Sequence, residues 1–167
     1  MQLDARDQRI LDELQVDARL TMVELGRRVH LSHPAVTERV RRLEDCGVIC
    51  GYRAHLDAKQ LGFGVRAWVR VGRADWDCMA ALIASTPEVI DAFNVTGDDS
   101  WVMLIVARGV EHLDDLLARF SELGETATSV VLRALRERGP LPVATLGPSA
   151  TEELSPRPTG FRSPDRR

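Results

Sequence analysis

The sequence of 167 residues contains few of the residues that several classes of protein require. Its three cysteines are odd in number and too few for a disulfide framework. No apolar run approaches the length of a membrane span, and the first residues lack a signal-peptide pattern. The four histidines are scattered along the chain. The sequence has neither the motif of a phosphate-binding glycine loop nor that of a nucleophile elbow. We therefore expect a soluble, cytoplasmic protein that is not an enzyme and has no metal or cofactor.

A surplus of positive charge is also lacking, since the net charge is −3. Residues 1–62 carry ten basic and ten acidic groups, residues 63–138 carry eight and twelve, and residues 139–167 carry four and three. The acidic excess therefore lies outside the first third of the chain. Lys59 is the only lysine, so any phosphate contacts depend on arginine, which also makes bidentate contacts to guanine.

Residues 22–43 predict two short helices joined by a tight turn. Thr21 and Glu24 have the spacing of a capping box, and Ser32 follows as a second N-cap with proline in the first turn. An apolar stripe at i, i+4 and i+7 then marks the buried side of the second helix: Val36, Val40 and Leu43. This is the pattern of a helix-turn-helix, whose second helix enters the DNA major groove. The simpler alternative is a helical hairpin with a solvated charged face.

The outward face of that second helix supplies the candidate DNA contacts. Its arginines suit phosphate or guanine, although Arg39 also lies close to Glu38 and Arg42, which leaves a structural role open. Glu38 either accepts from a cytosine amine or balances arginine. Base edges are usually met near the N-terminal end of such a helix. The candidate set is Ser32, His33, Ala35, Thr37, Glu38, Arg39, Arg41 and Arg42.

The rest of the chain predicts a second domain and a tail. Residues 48–56 are expected to form a strand or hairpin edge, the wing of a first domain that covers residues 2–62. Residues 63–138 then alternate as β-α-β-β-α-β, with the last strand at 126–135, which is the order of a ferredoxin-like sandwich in the α+β class. From residue 139 the chain holds six of its eight prolines and little periodicity, so 139–167 is expected to be a disordered tail.

With both halves in place, the chain resembles the Lrp/AsnC family of bacterial regulators over roughly residues 2–138. The resemblance rests on LDARDQRILDELQVDARLTMVELGRRV, on the run LS, V-x-x-R-V-x-x-LE-x-x-GVI-x-GY, and on Val95-Thr96-Gly97-Asp98. It implies a winged helix-turn-helix domain for double-stranded DNA and a ferredoxin-like domain that senses an amino acid or similar small metabolite. It also implies dimers made by the sheets of the second domain, often assembled into octamers, in a nucleoid-associated protein. The exposed position of Trp68 between Arg66 and Arg70 fits such a sheet-to-sheet interface.

The turn after the predicted second strand is the best candidate for the effector site. A glycine turn exposes backbone N–H groups for a carboxylate, and an adjacent aspartate suits an ammonium group. The alternative is a plain β-hairpin, for which G-D-D-S is suitable turn chemistry. The candidate set is Thr96, Gly97, Asp98, Asp99, Ser100, Thr126 and Thr128.

Two departures from the family pattern accompany this resemblance. His30 stands where the family usually has glycine, in a turn that favours a left-handed backbone. The second acid of the G-D turn is shifted by one position or absent, so the identity of the effector cannot be carried over.

Three other interpretations remain open from the sequence. One is a nucleoid-organising protein that wraps DNA with little sequence preference. Another is a metabolite-binding or enzymatic module whose helical domain serves only for assembly. The third concerns Cys46, Cys50 and His55, whose spacing is not that of a usual zinc site but leaves a metal or redox sensor conceivable.

Overall fold

The structure, a computed structural model, describes residues 3–145. These residues form two compact units: the first holds residues 3–54 together with residues 138–145, and the second is His55–Glu137. The sequence places the domain boundary at residues 62 and 63, eight residues later. The difference arises because residues 57–63 form hydrogen-bonded turns, with the N–H of Phe63 donating to the Ala58 carbonyl oxygen at 2.9 Å, that lead directly into the first strand. None of the helices in residues 3–145 is long and apolar enough to cross a membrane.

The first unit contains three helices: α1 (Ala5–Val16), α2 (Met22–Arg28) and α3 (His33–Asp45). Asp4 caps α1 and forms a reciprocal capping box with Asp7. Thr21 caps α2 by accepting from the N–H of Glu24 at 3.2 Å. Ser32 lies at the N-cap of α3 but makes no side-chain capping bond. The predicted stripe of α3 is confirmed and packs with the apolar side of α1 into one core: Ile10, Leu11, Leu14, Leu25, Val29, Val36, Val40 and Leu43.

The turn between α2 and α3 is tight. His30 adopts φ +56°, the left-handed conformation that the family's usual glycine would suit at this position. The N–H of Leu31 donates to the Gly26 carbonyl oxygen at 2.8 Å. A Cβ on Gly26 would lie 2.8 Å from the Leu31 carbonyl oxygen, so only glycine permits this close approach.

The expected wing strand at residues 48–56 is not present in the described structure, where this segment pairs with no other strand. Gly47, at φ +72°, follows the end of α3, and the two residues after it pack against the core. The Tyr52 hydroxyl then donates to Glu44 Oε1 at 2.8 Å. A strand needs a partner, and none of the described strands pairs with this segment.

The expectation of disorder from residue 139 is wrong for residues 139–145. Val143–Thr145 form a short 3₁₀ helix, and Val143 is only 7% exposed within the core of the first unit. Two prolines fix the backbone here and lower the entropy cost of ordering a short segment, while α1 offers an apolar surface for it to cover. Residues 146–167 lie outside the described residues, so the prediction is untested there.

The second unit has the predicted order of elements: β1 (Val65–Gly72), α4 (Trp76–Ala84), β2 (Val89–Asn94), β3 (Asp99–Ala107), α5 (Val110–Ser121) and β4 (Glu125–Val130). The strands form one antiparallel sheet in the order β2-β3-β1-β4. Residues from α4 and α5 share one core with alternate residues of β1 and β3, as the ferredoxin-like prediction requires. On the other face, Trp68 is 39% exposed and Phe93 is 51% exposed. β4 ends at Val130, five residues before the predicted end.

Candidate nucleic-acid interface and effector cleft

The outward face of α3 carries most of the predicted DNA contacts. His33, Thr37 and Glu38 are exposed, and Ala35 is half-buried. The Thr37 hydroxyl donates to the His33 carbonyl oxygen at 2.8 Å, which holds it along the helix. The side chain of Arg41 is 74% exposed, and its Nε lies 3.7 Å from Asp45 Oδ2 one turn on. This weak surface pair leaves the Arg41 guanidinium available to an outside acceptor.

Arg39 and Arg42 do not share this outward orientation. The Nη1 of Arg39 donates to Asp4 Oδ2 at 2.7 Å and to Asp7 Oδ1 at 2.8 Å. The Nη2 of Arg42 donates to Asp7 Oδ2 at 2.7 Å. The side chain of Arg39 is only 22% exposed, whereas that of Arg42 is 45% exposed, so the contacts of Arg39 fit the structural role that the sequence left open. These four residues form the α1–α3 ion-pair cluster: Asp4, Asp7, Arg39 and Arg42.

The α1–α3 ion-pair cluster is built around a fully buried carboxylate, that of Asp7. The carboxylate accepts from both guanidinium groups and from the N–H of Asp4, so the buried charge is fully hydrogen-bonded. Burial alone would raise the pKa of Asp4, but hydrogen bonds from the Asp7 N–H, the Arg39 guanidinium and the Arg6 N–H outweigh it, so that pKa is lowered. Hydrogen bonds to Asp4 and Asp7 raise the pKa of Arg39. The cluster therefore fixes how α3 is rotated against α1.

A second group of charges lies on α2 and was not anticipated from the sequence. Arg27 is 78% exposed and pairs with Glu24 at 2.8 Å, while Arg28 pairs with Glu13 at 2.9 Å and with Glu24 at 3.2 Å. Hydrogen bonds from Arg27 and then Arg28 lower the pKa of Glu24. The Glu24 carboxylate thus accepts hydrogen bonds from both arginines. Arg27, in the last turn of α2, is therefore an additional exposed cation of the helix-turn-helix. Its position in the predicted helix is the signal from which the sequence could have indicated it.

The predicted effector turn borders an open cleft of about 610 Å³ at one end of the second unit. The structure brings together Gly97, Asp98, Asp99, Ser100 and Thr126 at this cleft. Thr96 and Thr128 do not line it, because each lies beyond the part of its turn or strand that reaches the cleft. The remaining lining residues were not predicted: Gly72, Arg73, Gly124, Glu125 and Ala127.

The cleft has both signs of charge and a tightly built floor. Arg73 adopts φ +55°, and its N–H donates to the Ser100 hydroxyl at 3.1 Å. The guanidinium of Arg70 lies 3.6 Å from the Asp99 carboxylate. A Cβ on Gly124 would lie 2.2 Å from the Gly72 carbonyl oxygen, so the backbone directly before β4 approaches the end of β1 too closely for a side chain. Arginine, aspartates and a glycine turn at one cleft are what a zwitterion needs for recognition.

No cluster of three or more histidine, cysteine, aspartate or glutamate residues suited to a metal ion occurs within the described part of the chain. Cys46, Cys50 and Cys78 are exposed thiols that form no disulfide. The sequence hypothesis of a site formed by Cys46, Cys50 and His55 therefore gains no support from the geometry.

Comparison with known proteins bears on both units. Residues 3–49 match the family model for winged helix-turn-helix DNA-binding, and residues 65–141 match that for the Lrp/AsnC ligand binding domain. The chain is 37% identical over 133 residues to the HTH-type transcriptional regulator LrpC of Bacillus subtilis, covering 78% of this chain and 92% of that protein. It is 42% identical over 122 residues to the leucine-responsive regulatory protein of Rhizobium meliloti, covering 70% of this chain and 78% of that protein.

Solved structures agree with this assignment. The structure of Bacillus subtilis LrpC superposes with a TM-score of 0.78 at 36% identity, over 81% of this chain and 99% of that one. A transcriptional regulator of Neisseria meningitidis in complex with L-methionine superposes with a TM-score of 0.79 at 30% identity, over 84% of this chain and 97% of that one. Both family models, the relatives and the fold thus agree, and the chain belongs to the Lrp/AsnC family of transcriptional regulators.

Proposed function

We propose that this regulator reads specific DNA sequences with the outward face of α3 and responds to an amino acid or similar small metabolite bound at the cleft. The observation that supports it best is the exposure of Arg41, Thr37 and His33 on one face of a helix that two other helices hold in place. A helix presented in this way can enter the major groove. Arg41 suits guanine or phosphate, Ala35 suits a thymine methyl group, and Glu38 suits a cytosine amine.

In this proposal Arg39 serves to position α3, Arg42 combines positioning with partial access to DNA, and Ser32 belongs to the N-terminal end that meets the DNA. The exposed arginine of α2, Arg27, suits a phosphate. Phosphate contacts carry most of the affinity and base contacts most of the specificity. Residues that contact phosphates should therefore affect mainly affinity, and residues that contact bases mainly sequence preference.

The effector part of the proposal rests on the chemistry of the cleft. Arg73 and the backbone N–H groups of the glycine turn suit the carboxylate of an amino acid, while Asp98 or Asp99 suits its ammonium group. Thr126, on the facing strand, suits a polar contact. The amino-acid complex of the Neisseria meningitidis regulator is consistent with this class of ligand.

We further propose that the protein acts as a homodimer, assembling to an octamer, in the cytoplasm and in association with the nucleoid, without catalytic activity. The open face of the sheet supports the dimer, since it exposes Trp68 and Phe93 beside the charged Arg66 and Arg70. Exposed aromatic side chains flanked by arginine are typical of protein interfaces.

Selection of bound duplexes from a random-sequence pool at about physiological salt tests the DNA-binding proposal. We expect a dyad-symmetric motif with half-sites about one helical turn apart, or a multiple of it. Recovery of DNA without any motif would instead indicate an architectural role with little sequence preference.

The variant Arg41→Ala then tests the assigned face of α3. We expect about 10-fold weaker binding of the selected duplex and a salt dependence lower by about one phosphate contact or a loss of preference at one base. Arg108→Ala removes an exposed arginine from the second unit and is the matched control. Equal affinity of Arg41→Ala and the control would overturn the assignment of this face.

A further inference from the structure

The segment Arg138–Thr145, which we call the strap, leaves the second unit and docks on the first. The amide of Gln15 clasps it, with Nε2 donating to the Leu141 carbonyl oxygen at 3.2 Å and Oε1 accepting from the Leu141 N–H at 2.6 Å. Two residues later Val143 is buried in the core beside Leu11 and Leu14. The first unit therefore takes part of its core from residues that follow the whole second unit in sequence.

The other end of this connection is fastened to the sheet. The N–H of Val131, directly after β4, donates to the Arg66 carbonyl oxygen at 2.8 Å. The Arg66 guanidinium forms an ion pair with Glu137, directly before the strap. Residues 131–137 are thus held at both ends by a single residue of β1. The segment between β4 and the strap is therefore tied to β1 both where it begins and where it ends.

β4 begins at the cleft. Glu125, Thr126 and Ala127 line it, and the same strand runs on to Val130 and into the fastened segment. A ligand that contacts these residues acts on the strand whose continuation is clasped by Gln15. The other covalent connection between the units begins with the exposed residues His55, Leu56 and Asp57. Of the two connections, the strap is the one that is held by a buried side chain, that of Val143, and by two hydrogen bonds to Gln15.

We propose that the strap is the mechanical link through which occupancy of the cleft changes the DNA-binding domain. The inference rests on the proposed function, because it assumes that the cleft binds the effector and that α3 binds DNA. One buried valine and two neutral hydrogen bonds to an exposed amide form a weak dock, which a modest displacement of β4 can release. Release uncovers the apolar side of α1 and leaves the first unit joined by one exposed connection.

Linkage provides a test that needs no identified effector. If the cleft and the DNA-binding domain are coupled, DNA binding must change the free energy of ligand binding at the cleft by the same coupling free energy. Hydrogen exchange of the amides of residues 124–130 is measured by mass spectrometry on the full chain, with and without a duplex from the random-sequence selection. We expect DNA to change exchange at Glu125, Thr126 and Ala127 by about twofold or more.

Two variants undock the strap and one serves as the control. Val143→Asp places a charge in the core, and Gln15→Ala removes the clasp from an exposed position without touching the core. Leu141→Asp is the matched control, since Leu141 is 73% exposed and docks through its backbone. We expect the undocked variants still to bind the selected duplex but no longer to show the DNA-induced change in exchange at the cleft, which the control retains.

Each outcome decides the proposal. A DNA-induced change at the cleft that persists in Gln15→Ala and Val143→Asp would overturn it, as would the absence of that change in the unaltered chain. If Val143→Asp unfolds the first unit, fast exchange throughout α1 will show this, and Gln15→Ala alone decides. Failure of the unaltered chain to bind any duplex would instead overturn the proposed function, and it is seen before any variant is compared.

Discussion

Replacement of Asp7 by asparagine tests the α1–α3 ion-pair cluster most directly. The Asp7 carboxylate is fully buried and accepts from Arg39 and Arg42 of α3. Asp7→Asn preserves the size of the side chain but removes its charge, so two guanidinium groups face a neutral amide. We expect a less stable first unit and a loosened α3, which would weaken DNA binding in the protein that remains folded.

The size of the effect follows from the exposure of the two arginines. Removing one partner of a buried ion pair costs about 3–5 kcal/mol when the other charge stays buried. Here the side chain of Arg39 is 22% exposed and that of Arg42 is 45% exposed, so water reaches both cations once the carboxylate is gone. We therefore expect the free energy of unfolding to fall by about 2–3 kcal/mol. A typical domain, with about 5–15 kcal/mol, stays folded after such a loss.

The assay combines urea unfolding of the full chain, followed by helical circular dichroism, with DNA affinity measured without denaturant. Asp12→Asn is the matched control, because it removes the same charge from α1 outside the α1–α3 ion-pair cluster. The three tryptophans all lie in the second unit, so their fluorescence should report an unchanged unfolding midpoint there. If Asp7→Asn were as stable as Asp12→Asn and bound DNA equally well, the positioning role of the cluster would be refuted.

Two further predictions concern Tyr52 and Gly124. Burial, and then the hydrogen bond to Glu44, raise the pKa of Tyr52 to about 12, so its stabilising contribution is complete below about pH 10 and is lost as the pH rises towards 12. Because Tyr52 is the only tyrosine, tyrosinate absorbance reports it alone, and a midpoint near 10 would contradict the hydrogen bond. Gly124→Ala should destabilise the second unit by about 1–3 kcal/mol, since its Cβ would lie 2.2 Å from the Gly72 carbonyl oxygen. Tryptophan fluorescence during unfolding measures the stability of the second unit. Gly109→Ala, whose added Cβ would meet open space, is the control, and Gly124→Ala must be less stable than this control.

The second unit shows what local sequence pattern predicts well. Alternation in β1 and the helical stripe of α5 place buried residues by period alone, and the predicted order of elements is found. The turn Gly97–Ser100 was likewise found at the cleft, because turn chemistry is local. Arg73 was missed, since nothing in the pattern around β1 distinguishes it from other exposed arginines.

The first unit shows where such reasoning stops. Arg39 has the spacing of an outward residue, and only the burial of Asp7, more than thirty positions earlier, turns it inward. Val143 lies in a proline-rich stretch that has the composition of a tail, yet a distant helix gives it a place in a core. In both cases the deciding contact is between segments far apart in sequence, and neither composition nor the hydrophobic period indicates such a contact.

The place of Val143 has a consequence for how the protein is made. Chains leave the ribosome from the N-terminus, and domains generally fold as units while they emerge. The residues of the second core, from Ala67 to Phe120, are all synthesised before the last member of the first core appears. The DNA-binding domain, although first to be translated, is therefore the last to be completed, because its core lacks Val143 until the residues of the second core have been synthesised.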